Sequence, residues 1–294
     1  MLEIGLLLNL VILFAAGRWL LPVCLRFLVA HNRLESNYLK AFIPTGTGVF
    51  IWLLAAFQEM LYTVVARLPV PEIQGVMQQI SFHVIYTTAI TIIFIIGWTD
   101  DILGYKAVKG FRGHWRKWSE EGTVTTGLVK VFGVGAVSVW FVLQIPFFNV
   151  IPLWHFIIKT ALLILITNGY NLLDVRPGRA LKAYILLAIV LFIGLKGLPS
   201  EVLHFLLPVM LPVLIGVVLI FPGDIQGKHM LGDTGANLLG FSLGCWLIMG
   251  APIWLELVVL LLLLILHVLA EVSSVSRLIE RNRVLHWIDR WGRA

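Results

Sequence analysis

The sequence predicts an all-α, polytopic integral membrane protein with about nine transmembrane helices, its N-terminus outside and its C-terminus cytosolic. Composition is the first reason: 59% of the 294 residues are hydrophobic, 13% are charged, and the mean hydropathy is +0.94. A soluble domain carries about 25% charged residues, and a disordered chain lacks so much apolar surface. The second reason is that nine apolar stretches approach the ~20 residues a bilayer-crossing helix needs. The third is where the cations fall. Alternate loops and their adjoining helix ends hold 18 of the 22 Lys and Arg residues, whereas the opposite loops hold only Arg67 and Lys196. Cytosolic loops concentrate Lys and Arg, so this split sets the orientation. The net charge of +6 is thereby a topology signal, and nucleic acid is not an expected partner.

The stretches run 4–28, 46–66, 80–98, 124–143, 151–173, 183–197, 202–221, 235–250 and 253–272. Backbone groups in lipid must bond within their own segment, so each stretch reads as a helix. The first is too long for a signal-peptide core, and Arg18 and Arg26 lack the order of a leader's basic end. Loop 29–45, with Arg33 and Lys40, leads to Pro44-Thr45-Gly46-Thr47-Gly48 at the head of the second. The third closes on Asp100-Asp101, before loop 99–123 with Lys106, Lys109, Arg112, Arg116 and Lys117. The fifth ends at Asp174, and its turn 174–182 carries Arg176, Arg179 and Lys182. Loop 222–234, with Lys228, opens the eighth. Residues 1–272 therefore form the transmembrane domain and 273–294 a basic amphipathic cytosolic tail. Cys24 and Cys245 lie in apolar runs, which indicates neither a disulfide nor a zinc site.

All six aspartates fall on the predicted cytosolic side. Asp100 and Asp101 sit at a helix C-terminus, where the dipole disfavours negative charge and adjacent acids repel without a proton or cation between them. They read either as a divalent-metal or general-base site, or as solvated cap residues answered by Lys106 and Lys109. Asn168, Asn171 and Asp174 share one helical face. Polar groups at that depth face a cavity, bind something, or bond between helices. Asp233 lies at a helix N-terminus between Gly232 and Gly235, where it reads as an anion-site residue or a simple N-cap. His229 beside it is a candidate ligand or a structural residue. Taken together, three loops bring carboxylates next to cations on one face, a combination suited to Mg²⁺ and a phosphorylated ligand.

Asp100-Asp101, Asn168-x-x-Asn171-x-x-Asp174 and Gly232-Asp233-Thr234-Gly235, in this order on alternate cytosolic loops, resemble the polyprenyl-phosphate N-acetylhexosamine-1-phosphate transferase superfamily. This is the glycosyltransferase 4, or phospho-N-acetylmuramoyl-pentapeptide transferase-like, group. Pro44-Thr45-Gly46-Thr47-Gly48 is similar to its first-loop motif, so the resemblance runs from about 40 to 240. It implies a Mg²⁺-dependent enzyme (Mn²⁺ being a substitute) of the bacterial cytoplasmic membrane, with its active site facing the cytosol. Such an enzyme transfers a sugar 1-phosphate from a nucleotide sugar, a UDP-N-acetylhexosamine above all, to a polyprenyl phosphate, initiating cell-envelope glycan synthesis. By that carry-over Asp233 is the metal ligand, and Asp100, Asp101 and Asp174 serve phosphates, metal and proton transfer. Lys40, Thr45, Asn168, Asn171, Arg179 and Lys228 are the candidate substrate contacts. The partners it implies are the lipid phosphate, the nucleotide sugar and the membrane, with a homodimer as an option.

Three positions depart from the family pattern. Pro177 stands where members have a second acid, Met230 where an aromatic is frequent, and 276–285 lacks the histidine-rich loop that follows the later spans. The metal and phosphate apparatus is present, while the parts that read base and sugar are altered. In the tail, Val275, Leu278, Ile279, Leu285, Ile288 and Trp291 alternate with five arginines, the pattern of a basic helix on an anionic membrane or of a sugar-phosphate contact. Asp224 and Asp289 match no motif, so neither is expected to matter. The competing reading is a non-catalytic or transporter-like relative that binds polyprenyl phosphate; the acids at helix ends, rather than at the midplane, favour the enzyme.

Overall fold

The computed structural model describes residues 2–67, 77–104, 110–145, 152–195, 197 and 200–293. The described residues are nearly all helical. They are α1 (Leu2–Ala30), α2 (Gly48–Val65), α3 (Met77–Leu103), α4 (Gly110–Glu121), α5 (Thr126–Leu143), α6 (Leu153–Leu173) and α7 (Arg179–Leu195), followed by α8 (Ser200–Ile225), α9 (Gly232–Gly250), α10 (Ile253–Val272), α11 (Val275–Arg281) and α12 (Arg283–Arg290).

Each of the nine apolar stretches falls on a helix, but seven helices among the described residues are long and apolar enough to cross a membrane: α1, α2, α3, α5, α6, α8 and α10. The expected nine is therefore seven by length and composition. The other two have physical reasons for weaker signals. α7 has only 17 residues. α9 is the hub of the bundle, buried without a break from Thr234 to Ile248 and packed on α2, α3, α6, α7 and α8. A helix enclosed by other helices never meets lipid, so it can trade apolar side chains for small ones that admit close packing. At Gly240 a Cβ would stand 2.6 Å from the Ile166 carbonyl oxygen of α6, so only glycine lets these helices meet.

The chain also departs from all-α at one place. Between α1 and α2 lies an antiparallel hairpin, β1 (Leu34–Ser36) on β2 (Phe42–Pro44), with Leu34 opposite Pro44. Asn37 makes its turn: its Oδ1 accepts from the Leu39 and Ala41 N–H groups at 2.9 and 3.0 Å, the local bonding that favours Asn in turns.

Proline shapes α8, which contains Pro208, Pro212 and Pro222. Pro212 has no N–H, so the Pro208 carbonyl loses its helical donor; Gln58 of α2 supplies one through Nε2 at 2.7 Å. The core of the bundle is filled by Trp246, Tyr86, Tyr184, Phe50, Phe141 and Phe241, all fully buried. One further ion pair crosses the apolar interior: Lys159 of α6 meets Glu256 of α10 at 2.6 Å and also donates to the Ile248 carbonyl.

After α10 the chain folds back on the bundle. Asn282 caps α12 by accepting from the Val284 and Leu285 N–H groups. Asp289 then joins Arg179 at the head of α7, and Lys182 donates to the Ile288 and Asp289 carbonyls.

Candidate functional site

The head of α9 is the point on which the site is built. Its first turn touches the head of α2 so closely that a Cβ on Gly48 would lie 2.5 Å from the Gly235 Cα. The preceding segment is bonded to the strand before α2: the Met230 N–H donates to the Pro44 carbonyl at 2.8 Å, and the Thr47 hydroxyl donates to the Met230 carbonyl at 3.2 Å. Gly232 then turns the chain into α9 with φ 67°, a left-handed conformation that suits glycine. A Cβ there would sit 2.8 Å from Asp101 Oδ2 and 2.9 Å from the Thr45 hydroxyl. Pro44-Thr45-Gly46-Thr47-Gly48 and Gly232-Asp233-Thr234-Gly235, far apart in sequence, are thus one structure.

Asp101, at the end of α3, binds this head directly. Its Oδ1 accepts from the Asp233 N–H and its Oδ2 from the Thr234 N–H, both at 2.9 Å, and the Thr234 hydroxyl donates to it as well. The first N–H groups of a helix have no partner within it, and an anion there is favoured by the dipole. Asp101 therefore acts as an N-terminal cap supplied from another helix. This couples α3 to α9 and fixes where Asp233 stands.

Asp233 Oδ2 meets Lys130 Nζ of α5 at 2.9 Å, and Asp100 Oδ2 lies 3.7 Å from the same nitrogen. The Asn171 amide, with its oxygen toward Lys130 and its nitrogen toward Asp233, completes the ring at 2.7 and 2.6 Å. The Asp100 and Asp233 carboxyls are also in hydrogen-bond contact with each other. Two carboxylates in contact need a proton or a cation between them. Lys130 and Asp100 are mostly enclosed, while Asp233 keeps 30% of its side chain exposed, so the cluster opens on the Asp233 side. Asp174 caps the C-terminus of α6, its N–H bonded to the Tyr170 carbonyl at 3.1 Å. Burial pushes its carboxyl well above the usual range, with the charges of Asp224, Asp233 and Asp101 adding to the shift.

The structure thus brings Asp100, Asp101, Asp174, Asp233, Asn171 and Thr45 to one end of the bundle. The remaining expected contacts go elsewhere. Asn168 points to α10, its Nδ2 3.0 Å from His267 Nε2. Lys40, at φ 63° in the hairpin turn, and Lys228, before α9, are exposed. Arg179 is not free to hold a phosphate: its Nε and Nη2 clasp both oxygens of Asp289 at 2.8 and 3.1 Å, and Nη1 donates to Ser276. Asp289 is clasped from the other side by Arg293 at 2.9 and 2.7 Å. Asp224 accepts from the Gly178 N–H at 2.7 Å while itself buried. The expectation that Asp224 and Asp289 are dispensable is therefore corrected for both; they hold the 174–182 turn and the tail in place. Lys106 and Lys109, the cations expected to answer Asp100 and Asp101, lie outside the described residues.

Lys130 is the site residue that the sequence reading passed over, counting it only among the cations. A lysine one turn inside an apolar helix is costly without a partner, and that was the available signal. Asp289 carried none, being one charge among many in a basic tail.

Among the described residues no three His, Cys, Asp or Glu side chains converge as a group that could hold a metal ion. What is present is a pair of hard-oxygen donors, Asp100 and Asp233, with a lysine between them. Fold and helix composition make the chain a multi-pass α-helical membrane protein. No protein-family model matches the chain, and no curated protein matches it either.

Proposed function

We propose that this protein transfers a sugar 1-phosphate from a nucleotide sugar, a UDP-N-acetylhexosamine above all, to a polyprenyl phosphate at the cytosolic face of a bacterial cytoplasmic membrane. In this reading all nine apolar helices cross, the N-terminus is outside, and the acid cluster faces the cytosol. The observation that carries it is the ring of Asp233, Lys130, Asp100 and Asn171 at the open end of the bundle. Carboxylates and a cation gathered where helices meet the surface suit a phosphate-rich substrate, whereas a transport site would lie at the midplane.

The donor set fits Mg²⁺. This ion takes one or two carboxylates plus substrate phosphates rather than an all-protein cage, so Asp233 with Asp100 suffices. When bound there it would neutralise charge on the diphosphate and on the departing nucleoside monophosphate. Lys130 supplies a second, fixed positive charge at the same place, and Asn171 holds both it and Asp233 in position. Asp101 orients the head of α9 and, being engaged by backbone donors, positions rather than reacts.

A lipid-phosphate oxygen attacks the sugar-bearing phosphorus of the donor, and the bond from that phosphorus to the nucleotide oxygen breaks. The products are a lipid diphosphate sugar and a nucleoside monophosphate. Asp100 takes the proton where the lipid phosphate still carries one. Asp174 is not a member of the ring of Asp233, Lys130, Asp100 and Asn171, so direct displacement is the route proposed rather than a covalent one. Pro177 offers a base neither a carboxylate nor an N–H, and its carbonyl already accepts from Arg293 Nε at 2.8 Å. Discrimination between nucleobases is accordingly weaker than a polar base-reading residue would give.

The test is product identity. Protein in detergent with Mg²⁺, undecaprenyl phosphate and a panel of nucleotide sugars should yield equal amounts of lipid diphosphate sugar and nucleoside monophosphate by mass spectrometry. Donor hydrolysis without a lipid product, or no turnover with any donor, would count against the reading.

A further inference from the structure

A second polar pocket lies between α2, α3 and α8, lined by Gln58, Glu59, His83, Tyr86, Thr87 and Pro212 among others. Measured along α2 from Gly48 and along α3 from Asp100, at 1.5 Å per residue, it stands about 15–25 Å from the acid cluster. It is thus inside the apolar span and separate from the proposed transfer site.

The proline-broken α8 sets its chemistry. Gln58 uses its amide nitrogen on the Pro208 carbonyl that Pro212 leaves without a donor. Its Oε1 is then buried with no protein partner, in a residue that is 2% exposed. Next to it, Glu59 accepts from the Thr87 hydroxyl through Oε2 at 3.3 Å, while its own Oε1 is buried with no partner. An ionised carboxylate lacks a donor at Oε1, and a protonated one would need an acceptor within reach of that atom. Among the described residues no Lys or Arg lines the pocket. The other groups around Glu59 are His83 and Tyr86 from α3, the Tyr86 hydroxyl being buried without a partner, and Tyr62 from α2, whose hydroxyl accepts from Asn9 of α1 at 2.9 Å and lies beside the Gln58 amide; among the described residues α8 presents Val209 and Pro212. Both residues, Gln58 and Glu59, line a space with room for about one water molecule, so what is missing is small and either positive or a donor.

We propose that Gln58 Oε1 and Glu59 Oε1 hold one Na⁺ ion inside the membrane span. Such an ion supplies the partner an intramembrane carboxylate requires. Both ligand oxygens come from α2, beside the proline-broken stretch of α8 to which Gln58 is itself bonded.

The test uses the full-length protein in detergent and follows its unfolding midpoint in two series. In one, NaCl replaces choline chloride at constant ionic strength and mildly alkaline pH. In the other, pH is lowered in choline chloride alone. A ligand that binds only the folded state stabilises it, so wild type should show a saturable rise in the sodium series; a rise in the acid series alone reports protonation of Glu59 beside a water and would overturn the proposal. Glu59→Gln, which keeps the shape, should abolish that rise; reading the difference between the two proteins removes the contribution of His83. If Glu59→Gln does not fold, Thr87→Val, which removes the hydroxyl bonded to the other carboxylate oxygen, should shift the half-saturating sodium concentration about two- to fivefold, and an unshifted value would overturn the proposal. Wild type and variant that respond alike in both series would show that the pocket holds water only, and would overturn the proposal.

Discussion

Asp101 Oδ2 accepts the Thr234 N–H at 2.9 Å across a separation of 133 residues, closing the head of one helix with the tail of another. The Asp233 N–H is held by the same carboxylate, so the position of Asp233 depends on Asp101. Asp101→Ala leaves two donors at the head of α9 without their acceptor and is expected to cost about 2–4 kcal/mol. Asp101→Asn keeps one acceptor and should cost about half as much. Denaturant unfolding in detergent measures both. An alanine variant as stable as wild type would show that the cap contributes nothing.

Asp174 gives a prediction about protons. Its folded pKa is raised, first by burial and then by Asp224, Asp233 and Asp101. The folded protein therefore holds a proton at pH values where an unfolded aspartate has lost it, and this residue's contribution to stability falls as pH rises between the two pKa values. A divalent cation arriving at the cluster should expel that proton, so its affinity should increase with pH. Titration calorimetry in buffers of different ionisation enthalpy should find protons released as the cation binds, and fewer in Asp174→Asn. Equal release by both proteins would remove Asp174 from the cluster's titration.

Asp289 behaves oppositely. Burial by itself would raise its pKa, but the hydrogen bonds and charges of Arg179 and Arg293 outweigh it and hold the carboxyl below the usual range. Its contribution is then complete above the ordinary aspartate pKa and is lost as pH falls through the lower folded value. At neutral pH Asp289→Asn should cost about 2–4 kcal/mol, because two guanidinium groups lose a bidentate partner. It should also expose the tail to proteases cutting after Arg281 and Arg283. An unchanged cleavage pattern would mean the tail docks without this clamp.

The orientation is checked with single cysteines, the native Cys24 and Cys245 being buried. Gln226→Cys at the site end and Arg67→Cys at the other are both exposed positions. In intact cells an impermeant maleimide should label position 67 and spare 226. Labelling of 226 would place the acid cluster outside the cytosol.

Much of this architecture was legible in the sequence for a physical reason: lipid forces apolar runs into helices, and basic loops mark one side. The convergence of Asp100, Asp101, Asp174 and Asp233 followed from the same pattern, since all four lie at helix ends on that side. What was not legible depends on partners from distant segments. Lys130 reads as an isolated charge until α5 is set beside α3 and α9. Arg179 reads as a phosphate ligand until Asp289 folds back to meet it. α9 passes for an ordinary span, whereas its burial from Thr234 to Ile248 makes it the hub. The hairpin at 34–44 escaped notice because its register comes from one asparagine turn.

The most direct measurement is the release of nucleoside monophosphate from a nucleotide sugar by wild type, Asp233→Asn and Lys130→Met, with and without Mg²⁺ and polyprenyl phosphate. The account predicts release by wild type only when both metal and lipid are present. It predicts a fall of roughly 10²–10³-fold in each variant, the scale for losing one charge-stabilising group in a site, with the Asp233→Asn protein still folded and unfolding cooperatively. Wild-type rates in Asp233→Asn, or release that needs neither metal nor lipid, would contradict it.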